Sequence, residues 1–146
     1  MRLYLRRASI AGLLLLTIAG CQSESDPVYP VSGKVTFPDG SPARFGIIEF
    51  RRELPTTVVA RGKIQRDGTF RVRSSGSRSG LTQGNHKAII IQVVGTHRTD
   101  HIHHDHGQIV ADKYRDYNTT ELSVDVSPDG KNHFEIVAER KGLSQN

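Results

Sequence analysis

From Val31 onward, apolar residues recur at every second position in short runs, and turn dipeptides separate the runs. Val31, Gly33, Val35 and Phe37 share one face of a first strand. Pro38-Asp39-Gly40-Ser41-Pro42 closes it, with glycine free to take a positive φ and proline fixing its own. Residues 45–51 give a second strand, with Ile48 and Phe50 on one face. Residues 56–65 give a third, and Asp67-Gly68 turns it into residues 69–73. Asp-Gly between alternating runs is a strong hairpin signal. Residues 74–84, rich in Ser and Gly, read as a loop. In residues 86–94 an unbroken Ile/Val run fits a strand buried on both faces. A last pair, 122–126 and 133–138, is joined by Ser-Pro-Asp-Gly-Lys-Asn.

Seven short strands within the 114 residues from 28 to 141 predict one all-β domain, a seven-stranded Greek-key β-sandwich. No heptad or sustained helical period competes with it. Tryptophan is absent and Cys21 is the only cysteine, so a disulfide-bearing antibody-type domain has no support. The stretch Val31-Ser32-Gly33-Lys34-Val35 through Asp39-Gly40-Ser41-Pro42 resembles the opening of carboxypeptidase-regulatory-like domains. Asp67-Gly68-Thr69-Phe70 resembles their D-G-x-F turn. Leu81-Thr82-Gln83-Gly84-Asn85-His86 is similar to their next strand entry, with His86 where tyrosine is usual. The resemblance spans residues 30–141 and implies a transthyretin-like (prealbumin-like) sandwich, of the kind found in small bacterial lipoproteins. Its motifs are turn and strand residues, so they speak for fold and are silent on activity.

The N-terminus has a different pattern. Arg2, Arg6 and Arg7 precede an apolar core from Ala8 to Ile18, too short for a span of about 20 residues and sized for a secretory signal. Ile18-Ala19-Gly20-Cys21 resembles the bacterial lipobox, with isoleucine where leucine is more usual. The expectation is a signal at 1–20, lipidation of Cys21, a polar tether over 21–29 and a tail at 142–146. The resemblance implies membrane attachment through the lipid on the periplasmic side. Gln22, in place of Asp, is the outer-membrane pattern under Gram-negative sorting rules. Residues 1–20 hold three of the 20 basic residues and no acid, leaving 17 basic against 15 acidic, or +2, beyond them. So small a balance does not point to nucleic acid.

Candidate chemistry gathers in one segment, HRTDHIHHDHG, which holds His97, His101, His103, His104 and His106 with Asp100 and Asp105. Imidazole suits Zn, Ni or Cu, so divalent metal binding through 97–106 is one reading. In an extended chain, however, His101 and His103 point opposite to His104 and His106, and no spacing matches a known zinc pattern. A solvated loop that gains charge near pH 6 needs fewer assumptions. Ser74–Ser79 lack a nucleophile-elbow pattern. Tyr114 and Tyr117 are candidate contacts for a glycan or protein partner, although packing explains them more economically. Transthyretin-like relatives include a hydrolase, but its tyrosine-rich C-terminal signature is missing. The sequence therefore reads as a lipid-anchored, non-enzymatic binding or structural module with no cofactor, metal binding being the alternative.

Overall fold

A computed structural model describes residues 26–52, 57–74, 79–92 and 108–142. Its strands in chain order are β1 (Val28–Tyr29), β2 (Ser32–Thr36), β3 (Gly46–Arg52), β4 (Val58–Ile64), β5 (Thr69–Ser74), β6 (Leu81–Thr82), β7 (Gly84–Ile91), β8 (Ser123–Val126) and β9 (His133–Val137). Seven of them form one sheet in the order β8-β7-β3-β4-β5-β2-β9. It is antiparallel except for the β2–β9 pair, and it curls nearly into a barrel, consistent with the expected sandwich. A small second sheet pairs β1 with β6.

The inner surface is the alternation read from the sequence. Val31, Val35 and Phe37 are buried, as are Ile48 and Phe50 on β3, Ile64 on β4, and Phe70 and Val72 on β5. The rings of Phe50 and Phe70 meet at 5.8 Å between centroids, tilted by 38°. Burial of each such ring contributes about 2–3 kcal/mol. Ala88, Ile89 and Ile90 on β7 are all buried, so this strand is covered on both faces as its unbroken apolar run requires. Among the described residues, the buried core runs from Val31 to Ala138.

Two Asp-Gly turns use the same chemistry. Asp39 Oδ1 accepts from the Ser41 backbone at 3.0 Å and its hydroxyl at 2.8 Å. Asp67 Oδ1 accepts equivalently from Thr69 at 3.0 and 2.7 Å. Both side chains thereby fold back on their own backbone, the reason aspartate favours turns. Gly68 has φ +83°, and a Cβ there would meet the Val35 carbonyl at 2.5 Å. That carbonyl's own residue donates its N–H to Gly68 O at 2.9 Å, which locks the hairpin tip against β2. The Ser41 hydroxyl and backbone, with Arg140, hold the Asp39 carboxyl down at about 2.

Three features were not expected from the pattern. β1 falls at the end of the segment read as a tether, and β6 falls inside the Ser/Gly-rich stretch read as loop. Two-residue strands carry no periodicity, so only the pairing of Val28 with Thr82 and Tyr29 with Leu81 defines them. A 3-10 turn at Asp112–Arg115 buries Tyr114 and straps the following segment along β7 through Thr120 Oγ1, which donates to Ala88 O at 2.7 Å.

Candidate functional site

Cys21 and the loop residues His97, Asp100, His101, His103, His104, Asp105 and His106 lie outside the described residues. Among the described residues, no group of three or more His, Cys, Asp or Glu side chains comes together. Tyr114 is 4% exposed and belongs to the core, with its hydroxyl near the Glu139 backbone. Tyr117 is half-buried, donates to Glu49 Oε1 at 3.1 Å and lies under the Arg51 guanidinium at 3.9 Å. Burial, reinforced by the Glu49 charge, pushes the Tyr117 phenol well above its ordinary range.

Glu49 is itself only 8% exposed on the outer side of β3, and Arg61 of β4 donates its Nε to Glu49 Oε2. The pairing follows from register, since Glu49 stands opposite Arg61 and Ile47 opposite Lys63. One strand further on, Arg61 stands opposite Arg73. The ladder continues to the Gln65–Thr69 bond, placing Lys63 beside Arg71. Arg71 in turn stands opposite Ser32 of β2, and Ser32 opposite His133 of β9. Ser32 Oγ and His133 Nδ1 share a hydrogen bond of 3.0 Å.

The outer face of the β4–β5 hairpin therefore carries two rows of cations, Arg61 with Arg73 and Lys63 with Arg71. Sheet geometry spaces them at roughly 5 Å across the strands and 7 Å along them. Like charges directly opposite each other destabilise a strand pair. Lys63, Arg71 and Arg73 have no carboxylate partner among the described residues, and Arg61 has Glu49. These residues line a shallow trough of about 720 Å³ with Ser32, Gln65 and His133 along its border. Two guanidinium planes side by side suit bidentate carboxylate or phosphate recognition.

The signal for this face was in the sequence. Residues 57–74 contain five basic residues and one acid, with the bases at alternating positions in Arg61-Gly62-Lys63 and Arg71-Val72-Arg73. Period-two spacing puts each pair on one face, but only the register puts the two pairs side by side.

A second cluster lies at the start of the described chain. Arg52 donates to Thr82 Oγ1 and to Gln83 O, each at 2.9 Å, and reaches Asp26 at 3.5 Å. His86, fully buried, donates its Nε2 to Thr82 O at 2.8 Å, while its Nδ1 is buried without a partner. Burial pulls the His86 imidazole below its ordinary value, which favours the neutral form. These contacts tie the N-terminal strap to β6 and β7, a structural role.

No protein-family model, no curated protein and no solved structure matches the chain.

Proposed function

We propose that this chain is a lipid-anchored, non-enzymatic β-sandwich of the bacterial envelope that holds an anionic partner on the outer face of its β4–β5 hairpin. The likeness of the two Asp-Gly turns and the β7 entry to carboxypeptidase-regulatory-like domains supports a transthyretin-like module facing the periplasm. The lipobox-like tetrapeptide ending in Cys21 supports the anchor, and Gln22 the outer membrane.

The observation that carries the binding function is the grid of Lys63, Arg71 and Arg73, without carboxylate partners among the described residues, beside Arg61. In a chain whose net charge beyond residue 20 is only +2, residues 57–74 carry five basic residues against one acid, four of the bases side by side on one face against the local interest of the sheet. Charge placed this way favours rapid, salt-sensitive capture of a negatively charged surface or polymer.

Retention on immobilised heparin tests this. The chain from Cys21 onward is expected to bind at low salt and elute as salt rises. Replacing Lys63, Arg71 and Arg73 by Ser should move elution close to the void. Retention unchanged by those three substitutions would place the binding surface elsewhere and overturn the assignment.

A further inference from the structure

We propose that the outer face of β3–β4–β5 docks on an anionic phospholipid surface, with Phe45 and Ile47 entering the headgroup layer beside the cations. This deepens the function proposed above and rests on it: the same basic hairpin is used, and the partner is now named.

Two apolar side chains mark the end of β3. Phe45 is 42% exposed and Ile47 is 40% exposed. Phe45 has φ +55°, the one positive value at a non-glycine position among the described residues. A bulky side chain rarely adopts that conformation, and such outliers persist where the surroundings or the function hold them. Neither residue is isolated from the basic face. Ile47 stands opposite Lys63, and Gly46 opposite Ile64, so Phe45 lies beside the tip of the basic hairpin. An exposed aromatic ring and an aliphatic side chain rimmed by Lys and Arg fit the boundary between headgroups and acyl chains.

An acidic polysaccharide would satisfy the cations, whereas a lipid interface also accommodates the exposed aliphatic side chain of Ile47. The tether adds a second argument, resting on the same lipid anchor. Asp26 is fixed by Arg52, the last residue of β3, while Phe45 precedes its first. From Cys21 to Asp26 the chain spans at most about 18 Å. An acylated Cys21 therefore holds one end of β3 close to the bilayer, and laying the strand down brings Phe45 to the same surface. Anionic lipid then meets the cations within a Debye length, about 10 Å at moderate salt.

The chain contains no tryptophan, so Phe45→Trp introduces a single reporter. The acylated full-length protein carrying it is reconstituted into vesicles containing a lipid-chain quencher. In vesicles of phosphatidylglycerol mixed with phosphatidylethanolamine, Trp emission should shift to the blue and be quenched. The quenched fraction should fall several-fold in phosphatidylcholine vesicles, at high salt, and with Arg71→Glu and Arg73→Glu together. Ile47→Trp, which leaves the φ at residue 45 untouched, should report the same pattern. Equal quenching in both lipids, or quenching indifferent to the Arg substitutions, overturns the proposal, because the anchor alone would then explain contact. No quenching anywhere, with heparin still held through Arg71 and Arg73, overturns the lipid partner and leaves the anion-binding function standing. No quenching and no heparin binding overturns both.

Discussion

At the scale of single residues, the burial of His86 has the clearest measurable consequence. It packs inward with Ala88 and Ile90 on β7. Its folded-state affinity for a proton is reduced, chiefly by desolvation. In the unfolded chain an imidazole binds its proton near pH 6.5. Between that value and the lower folded one, the unfolded state holds more protons, so acid favours unfolding. Stability should therefore be fully present above about pH 6.5 and decline as pH falls below it. His86→Gln, which keeps an amide donor for Thr82 O, should flatten that part of the profile in urea unfolding. An undiminished decline in the variant would assign it to other groups. The turn carboxylate of Asp39, held down at about 2 by Ser41 and Arg140, contributes only in a separate window below its ordinary 3.8.

At the scale of elements, the β4–β5 hairpin combines a well-specified turn with an unfavourable surface. Its turn, with Gly68 at φ +83° and Asp67 holding Thr69, fixes the register without help from the outward side chains. Those side chains then oppose Arg61 to Arg73. Relieving one opposed pair is worth about 0.2–1 kcal/mol. Arg73→Thr should consequently raise the thermal midpoint by a few degrees at low salt, with the gain shrinking as salt screens the repulsion. A fall in midpoint would show that Arg73 has a structural partner, and a salt-independent gain would assign the effect to strand propensity rather than to charge. The hairpin also shows what the sequence makes legible. Alternation and Asp-Gly dipeptides locate the seven longer strands and their inward residues, because those signals are local. The β1–β6 pair is invisible in the pattern, since two residues have no period. The cation grid is half visible: alternation puts Arg71 and Arg73 on one face, but their neighbours across the sheet depend on register.

At the scale of the whole molecule, the charge is segregated. The chain beyond residue 20 is close to neutral, yet one outer face is basic while Glu49 is buried against Tyr117 and Arg61. Segregation of this kind orients a domain toward a negative surface. The histidine segment that dominates the sequence lies on another connection, between β7 and the Tyr114 turn. The basic face and that segment make different chemical demands, polyanion for one and divalent metal for the other. Backbone amide shift mapping of the chain from Cys21 onward, titrated with heparin, tests most directly whether anionic partners bind on the proposed β4–β5 face. The largest shifts are expected at Lys63, Arg71, Arg73 and their neighbours on β2, lessening as salt is raised. Shifts centred on residues 97–106, or no saturable shifts at low salt, would contradict it.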